Sequence, residues 1–514
     1  MAIHPRTPVI VGVGQCVDHW NGEDPARAPS PRGLLGEAAR RAVRDTGAQA
    51  EMLAGIDQVH VVRWFADSMP CTPPFGNCGN PPASLAADIG IIDAEHFYSH
   101  VGGDQPQKLV NEAAEAIFAG DAKAVLLAGS EAIAAMKTAL RKGITLDWSD
   151  SAAGNLTDRG RGMALLSEYE IRNGLGRPTS TYPLFENALR HRWQISEREH
   201  ESLMAELLAG FSEIAANNPH AQYPQARSPD FLMTESDENY RIASPYLKWH
   251  VAQDAVNQGA AIVLTSVEEA ERMGIAPAKW IYLHGYAAAH DNNVCERPDL
   301  SRSPAIEGVT RLALESAGKS AAQIAHFDLY SCFPCAVFLA AEAIGLDWRT
   351  VPATVTGGLQ FAGGAGNNYS MHAIAAMAEK LRADPSAFGF VLANGGYLSK
   401  EAAGVYSARP KEDWQPVSSE AVQSEIDASG VPYALSEDTT ARIETLSVSY
   451  RRGTPSHAVV IAKSKKGRIL ARARSGDYAT MTALDQPGAI GRPIAIVQED
   501  ASNVIASASP ARMD

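Results

Sequence analysis

Residues 101–132 read VGGDQPQKLVNEAAEAIFAGDAKAVLLAGSEA, and this stretch decides the fold. It predicts a glycine turn, an amphipathic helix, a stop at Gly120-Asp121 and then a strand. The strand is apolar along most of its length, which is typical of a sheet covered by helices on both faces. The stretch therefore predicts one α/β unit of a layered domain.

The same order of elements occurs on both sides of this stretch. Before it, residues 9–13 and 57–63 are strand-like, and residues 31–46 have apolar positions at helical spacing. After it, the pattern predicts strands at 280–285, 327–333 and 388–396 and helices at 305–318, 336–344 and 372–381. Strands that alternate with helices predict a mainly parallel sheet, and the repeated order predicts two similar halves.

Three other regions differ from the two halves in composition and residue pattern. Residues 145–248 interrupt the pattern and predict a cap insertion on the sheet, and residues 413–436 are polar and acidic, as in a linker. Alternating apolar and polar residues at 441–450, 458–463, 468–474 and 494–497 predict a small antiparallel β-barrel. The predicted domains are an N-terminal half at 1–275, a C-terminal half at 276–412, the linker at 413–436 and the barrel at 437–514.

Composition excludes several classes of protein. The chain has 514 residues, 45% of them hydrophobic and 20% charged, with a formal net charge of -14. An acidic chain is a poor general binder of nucleic acid. The barrel does have a basic strand pair around residues 463–474, but it has few aromatic residues on which bases would stack. No run approaches the ~18 apolar residues of a membrane span, and no secretory signal is evident, so a cytoplasmic location is expected.

Six scattered cysteines in a chain of this length do not form a disulfide framework and suit a reducing compartment. Cys332 and Cys335 form a C-F-P-C pair with the spacing of a redox or zinc motif. No second pair of ligands is nearby, and an apolar helix follows directly. Packing is therefore the favoured interpretation of this pair, and no metal site is predicted.

Up to about residue 409 the chain resembles the thiolase superfamily, most closely its sterol-carrier-protein-2-like branch. Four signatures in the expected order carry the resemblance: the nucleophile helix with LLAGSEA at 126–132, YSCF at 330–333, TGGL at 356–359 with the glycine-rich run that follows, and ANGG at 393–396. The resemblance implies the thiolase fold: two βαβαβαββ halves in α-β-α-β-α layers with a cap insertion. The barrel departs from the family and resembles an OB-type barrel, expected to dock on the thiolase-like part or to close a CoA tunnel.

The resemblance also implies that the reactive groups are missing. Thiolases use a nucleophilic cysteine, a histidine that activates it and a second cysteine that moves a proton. The position of the nucleophile is Gly103, that of the loop histidine is Gly364 or a neighbour, and that of the second cysteine is Ala393. Tyr330 stands in place of a further histidine. Glycine and alanine neither attack a thioester nor carry a proton, so the acyl-enzyme route is closed.

Several polar residues remain where the family has its active site. The candidate catalytic residues are Tyr330, Cys332, Tyr397, Asn394 and His372. Each also has a structural interpretation: a buried tyrosine with a satisfied hydroxyl, a histidine that caps or packs a helix, or an asparagine favoured by turn geometry.

Two sets of residues are candidates for substrate binding. Around the expected acyl site these are Gly103, Asp104, Gly364, Asn367, Asn368 and Phe333. On the cap, the resemblance implies contacts to CoA phosphates from Arg190, Arg192 and Lys248, with Arg159, Arg161 and His191 as further cations. The implied ligand is a CoA thioester, and no tightly bound cofactor is expected.

The sequence leaves three functions open. The chain binds an acyl-CoA of lipid metabolism without thiolysis and cleaves a carbon–carbon bond by a retro-aldol reaction, or it is an inactive CoA-binding scaffold, or it is a genuine acetyl-CoA acetyltransferase that uses Cys332. Whether it is an enzyme is left open. Homodimer, monomer and complex with a different protein are all compatible with the pattern.

Overall fold

The computed structural model describes residues 3–68, 72–433 and 438–507. Its strands are β1 Pro8–Val17, β2 Gln58–Val61, β3 Glu95–Tyr98, β4 Ala124–Ala132, β5 Thr157–Asp158, β6 Arg241–Ala243, β7 Tyr246–Leu247, β8 Asn257–Ser266, β9 Ile281–His290, β10 His326–Leu329, β11 Phe388–Gly395, β12 Lys400–Ser407, β13 Thr439–Arg451, β14 Thr454–Ser464, β15 Gly467–Arg472, β16 Pro493–Glu499 and β17 Ser502–Ser507. Its α-helices are α1 Pro31–Asp45, α2 Gln49–Gly55, α3 Phe65–Ser68, α4 Pro81–Ile89, α5 Gln105–Ala119, α6 Ile133–Lys142, α7 Glu168–Arg172, α8 Pro178–Trp193, α9 Glu197–Ala216, α10 Pro229–Met233, α11 Val267–Arg272, α12 Pro304–Ala317, α13 Pro334–Ile344, α14 Gly358–Phe361, α15 Tyr369–Ala383, α16 Glu420–Ala428 and α17 Tyr478–Leu484.

The large sheet shows the internal repeat directly. Its order is β10-β11-β12-β9-β1-β8-β4-β2-β3-β5. In the first half, β1 lies beside β8, the last strand of that half, and in the second half β9 lies beside β12 in the same way. The halves meet where β1 pairs briefly with β9. The predicted plan of two similar halves is thus confirmed. The prediction of a mainly parallel sheet is wrong, because β8 and β12, the last strands of the two halves, each run antiparallel to both of their neighbours.

Helices cover the outer faces of the two halves of the large sheet and fill the space between the halves. Helix α5 and its counterpart α15 pack against each other and against strands of both halves, which makes them the central layer. Helix α1 covers the first half on the outside, and α12 and α13 cover the second. Strand β4 is buried along its whole length, as a strand covered on both faces should be. The predicted α-β-α-β-α layering is confirmed.

The cap insertion closes one edge of the large sheet. Strand β5 lies in it and pairs in parallel with β3, with Phe97 opposite Thr157. The Arg63 guanidinium forms an ion pair with Asp158 of β5. An unpaired edge strand exposes backbone N–H and C=O groups that can pair with a strand of another chain. Here the protein's own insertion covers that edge.

The predicted linker contains a helix. Helix α16 lies within it and buries Val422 and Ile426 against Ala305 of α12. Only two of its nine residues are buried, so its polar composition hides the apolar stripe. Residues 434–436 of the linker, residues 437 and 508–514 of the barrel segment and Cys71 lie outside the described residues.

The last part of the chain folds as a closed five-stranded barrel of β13, β14, β15, β17 and β16. Four of its pairings are antiparallel, as predicted, and β15 pairs with β17 in parallel. A ring with an odd number of strands cannot be antiparallel throughout, which explains the exception. The barrel is docked on the cap, because β6 pairs with β13 at its side. Likeness to an OB barrel stays a prediction.

Candidate functional site

The predicted position of the nucleophile has no room for a side chain. Gly103 lies in the turn that leads into α5, where Gly102 has a φ of +147°. A β-carbon built on Gly103 would lie 2.2 Å from the hydroxyl oxygen of Tyr330 and 2.5 Å from the carbonyl oxygen of Asn394. Atoms in ordinary contact are more than 3 Å apart. The tyrosine hydroxyl occupies the space into which a nucleophile would project.

Tyr330 is held in this place by the second half of the fold. It follows β10, and its backbone N–H donates to the carbonyl oxygen of Leu392 at 3.1 Å. Its ring meets that of Tyr369 edge-on, with 5.5 Å between the centroids. Burial raises the pKa of Tyr330 well above its ordinary value, and the neighbouring Cys332 and Asp104 add to the shift. The side chain is therefore a neutral phenol at physiological pH.

Cys332 and Asn394 are brought together beside Tyr182, which the sequence did not single out. The Asn394 side-chain amide donates to the Tyr182 hydroxyl at 3.2 Å and lies 3.7 Å from the Cys332 sulfur. Tyr182 stacks on Phe333 with a centroid distance of 4.1 Å. Burial raises the pKa of Cys332 to about 12, so the thiol is protonated and is a poor nucleophile.

The glycine-rich loop serves mainly to connect distant segments. Asn367 accepts from the N–H of Gly102 at 3.2 Å and donates to the carbonyl oxygen of Arg63 at 2.8 Å. The N–H of Gly364 donates to the carbonyl oxygen of Gln253 at 2.8 Å. The Asn368 side-chain amide is buried without a hydrogen-bond partner among the described residues. Asn367 of the second half thus links two segments of the first half, the turn before α5 and the segment after β2.

His372 and Tyr397 are engaged elsewhere. Nδ1 of His372 lies 2.9 Å from the side-chain oxygen of Gln15 on β1. Burial lowers the pKa of His372 to about 3, so the imidazole stays neutral. The Tyr397 hydroxyl donates to the carbonyl oxygen of Gly176 on the cap. Neither contact joins Tyr330 or Cys332.

The predicted phosphate-binding cations on the cap do not converge on one point. Arg190 pairs with Glu197 at 3.5 Å, and Arg192 pairs with Glu342 of α13. Lys248 lies over the Trp249 ring, with 4.9 Å between the ammonium and the centroid. The further candidate Arg159 pairs with Glu112. These arginines are already neutralised by carboxylates of the same chain.

A charged cluster that the sequence analysis missed lies beside Asp104. Asp104 accepts from the side chain of Gln105 at 2.7 Å, and Lys400 donates to the carbonyl oxygen of Val101 at 2.8 Å. Glu401 is buried next to Lys400 on β12. Burial raises the pKa of both carboxyls and lowers that of the lysine. The signal was a Lys-Glu pair at the start of an otherwise apolar strand.

A cavity of about 380 Å³ opens at this cluster. Asp104, Lys400 and Glu401 belong to its lining, whereas the described residues that line it do not include Tyr330 or Cys332. Within the described ranges no three His, Cys, Asp or Glu side chains are grouped so as to hold a metal ion. No helix in those ranges has the length and hydropathy to cross a membrane.

Comparison with solved structures gives a full-length match to the fold. A crystal structure of a monomeric SCP2-thiolase like protein type 1 from Mycobacterium smegmatis is 36% identical to this chain, covers 98% of this chain and 100% of its own, and has a TM-score of 0.83. No protein-family model matches the chain, and no curated protein does.

Two more distant structures share the fold alone. An Ltp2-ChsH2(DUF35) aldolase is 17% identical, with a TM-score of 0.57 over 78% of this chain and 98% of its own. The acetyl-CoA acetyltransferase of Syntrophomonas wolfei is 13% identical, with a TM-score of 0.56 over 79% of this chain and 100% of its own. Each alignment covers about as many residues of this chain as precede the barrel.

Proposed function

Because the chain belongs to the SCP2-thiolase-like proteins, we propose that it binds an acyl-CoA thioester of lipid metabolism and does not cleave or transfer the acyl group through a thiolate. The contact between Gly103 and the Tyr330 hydroxyl carries this proposal. A substrate carbonyl must come within ~3 Å of its nucleophile to react. At this position there is neither a nucleophile nor space for the carbonyl.

The protonation states support the same conclusion. The Cys332 thiol has a pKa raised to about 12, so too little thiolate is present near neutral pH for acyl transfer. The one histidine that was a candidate, His372, contacts Gln15. Acetyltransferase activity through Cys332 is therefore the least favoured alternative.

Between retro-aldol cleavage and an inactive scaffold, the geometry favours the scaffold. Cleavage of a β-hydroxyacyl thioester needs a general base that reaches the substrate hydroxyl. Tyr330 has its pKa raised by burial, and the pKa of Tyr397 is raised as well. The Tyr397 hydroxyl already donates to Gly176. Both hydroxyls therefore keep their protons near neutral pH, and neither can act as the general base.

Two assays separate the alternatives. Acetoacetyl-CoA with free CoA tests thiolysis, and a set of β-hydroxyacyl-CoAs tests carbon–carbon cleavage; we expect neither substrate to be consumed faster than in buffer. Turnover abolished by Cys332→Ala would establish acyl transfer, and turnover abolished by Tyr397→Phe would establish the lyase.

Calorimetry with acetyl-CoA and a longer acyl-CoA tests the ligand class. We expect binding that is weakened by Lys248→Ala, since this cation pairs with an aromatic ring and not with a carboxylate. Exposed Lys142→Ala on α6 is the matched control. An absence of binding by both thioesters would overturn the acyl-CoA part of the proposal.

A further inference from the structure

The cavity at the N-terminus of α5 lies between α5, the ends of β9 and β12, and α16. Its volume of about 380 Å³ is within the range of small-molecule sites. The cap cations that would hold the CoA phosphates do not line this cavity among the described residues; of the candidates around the acyl site, Asp104 does. Its chemistry can therefore be considered by itself.

The base of the cavity is acidic and poorly satisfied. Glu401 is only 1% exposed, and neither of its carboxylate oxygens has a hydrogen-bond partner among the described residues. It lies in the sheet between Asn394 of β11 and Ala289 of β9. Asp104 is 4% exposed, and its Oδ1 has no such partner either. Burying a carboxyl without a hydrogen-bond donor costs free energy. Such a group is therefore expected to have a partner that this chain does not supply.

The rim of the cavity is basic. Lys108 of α5, His100 from the preceding loop and His290 at the end of β9 line it and are only partly buried. Lys400 lies between rim and base, and its ammonium donates a hydrogen bond to the carbonyl oxygen of Val101. The cavity thus has buried carboxyls inside, and towards solvent it has the Lys108 ammonium and two imidazoles that can donate hydrogen bonds.

We propose that this cavity binds a small zwitterion, with its ammonium group against Glu401 and Asp104 and its anionic group against Lys108 and the histidines of the rim. An ammonium supplies three donors for the unsatisfied oxygens and compensates their charge. A simple cation would meet the basic rim, and a simple anion would meet the carboxyls at the base. Only a molecule with both charges complements both ends.

Protonation provides an independent readout. Burial raises the pKa of both carboxyls, while Lys400 opposes the shift at Asp104 and Arg297 opposes it at Glu401. The charged groups around the two carboxyls are Asp291, Arg297, Lys108 and Lys400. A bound ammonium would favour the ionised carboxyls and release protons. The heat of binding should therefore vary with the ionisation enthalpy of the buffer.

Calorimetry with three four-carbon compounds tests the proposal on the full-length protein. We expect γ-aminobutyrate to bind about tenfold or more tightly than butylamine or butyrate, which each retain one of its charges. Glycine and β-alanine test shorter separations of the charges. Glu401→Gln should weaken the best zwitterion about tenfold or more, whereas exposed Glu51→Gln on α2 should leave it unchanged.

A second variant keeps the test decisive if Glu401→Gln does not fold. Lys108→Ala on the rim should weaken the zwitterion and butyrate and leave butylamine unaffected. Equal affinity for the three four-carbon compounds, or full affinity in either variant, would overturn the proposal. So would an absence of heat with all three zwitterions at about 10 mM, since even millimolar affinity would then be detected.

Discussion

Gly103 is enclosed by the hydroxyl of Tyr330 and the carbonyl oxygen of Asn394. Two residues far apart in the sequence therefore form one packed contact. The Tyr330 hydroxyl occupies the space beside Gly103, and a side chain at position 103 would collide with it. Placing a nucleophilic side chain there would require moving at least these two groups.

We expect Gly103→Ala to destabilise the protein by about 1–3 kcal/mol, because the new methyl group overlaps Tyr330 and a backbone oxygen that cannot easily move. Urea unfolding followed by circular dichroism measures this change. Gly210→Ala is the matched control, since a β-carbon on this glycine of α9 meets nothing within 4 Å. It should stabilise the helix by about 0.5–1 kcal/mol. Equal effects of the two substitutions would show that Gly103 is not tightly packed.

Glu131 predicts a pH dependence of stability. It is buried at the end of β4, and burial, followed by the nearby Asp67 and Asp254, raises its pKa from 4.5 to about 8. Its contact with the N–H of Phe65 opposes the shift but does not cancel it. Between pH 4.5 and 8 the folded state thus binds more protons at this group than the unfolded state. Its contribution to stability falls as the pH rises through this window.

Glu131→Gln removes this contribution. We expect the stability of the variant relative to the wild type to increase from pH 5 to pH 8, by at most about 1.4 kcal/mol per pH unit. Urea unfolding at several pH values gives the comparison. Glu51→Gln, on an exposed face of α2, controls for the loss of a carboxyl. Parallel curves for wild type and Glu131→Gln would refute the assignment.

At the scale of elements, α9 shows how a short pattern fixes a helix in the cap. Its N-cap Ser196 accepts from the N–H of Glu199, and the Glu199 carboxylate accepts from the Ser196 N–H at 2.8 Å. This reciprocal pairing satisfies two N–H groups that have no partner within the helix. The helix then buries Met204, Leu208 and other apolar residues along one stripe.

We expect Ser196→Ala to lower the free energy of unfolding by about 1 kcal/mol, because the capping hydroxyl is lost. Ser202→Ala, in the exposed middle of the same helix, should be neutral or slightly stabilising, since alanine has the higher helix propensity. Thermal unfolding of both variants gives the difference. A larger loss in Ser202→Ala than in Ser196→Ala would contradict the capping argument.

At the scale of the whole molecule, the barrel is bound firmly to the rest of the chain. The Arg468 guanidinium on β15 is oriented by two hydrogen bonds with Glu444 of β13 in the same barrel, at 2.6 and 2.8 Å, and it donates across the interface to the carbonyl oxygen of Cys295 at 3.1 Å. The Tyr169 hydroxyl of the cap accepts from the N–H of Leu470 at 3.0 Å. These contacts predict that the barrel and the layered part unfold together.

Arg468→Met should cost about 3 kcal/mol or more, because it leaves Glu444 partly buried without its principal partner. Lys463 also approaches Glu444, at 3.7 Å, but its side chain is 68% exposed. Lys463→Met should therefore cost only about 0–1 kcal/mol. Denaturant unfolding with probes in both parts of the chain measures the cost and the cooperativity. Similar costs for the two variants would show that Arg468 does not anchor the barrel.

Pairing of β3 with β5 predicts the oligomeric state. The chain's own insertion pairs β5 with β3 and so covers this edge of the large sheet, which is then not free to pair with a second chain. We expect light scattering to give the mass of one chain across a range of concentrations. A concentration-independent mass of two chains would show that another surface mediates association.

The sequence by itself determined most elements of the layered fold, the two similar halves and the barrel, and it places a glycine at position 103. Each of these depends on local signals: apolar periodicity, glycine and proline positions, and the residue type at a recognisable place. Helix α8 was missed because Pro183 lies inside it, and α16 was missed because its apolar stripe is only two residues wide.

Only the tertiary structure decided what surrounds those residues. Tyr330 fills the space above Gly103, Arg192 pairs with Glu342 and Glu401 lies near Asp104, although these partners are separated by at least 150 positions. Such neighbours follow from how sheets and helices pack and not from any local pattern. Packing and burial also set which groups carry charge. The neighbours of each residue and its protonation state together determine which reactions its side chain can support.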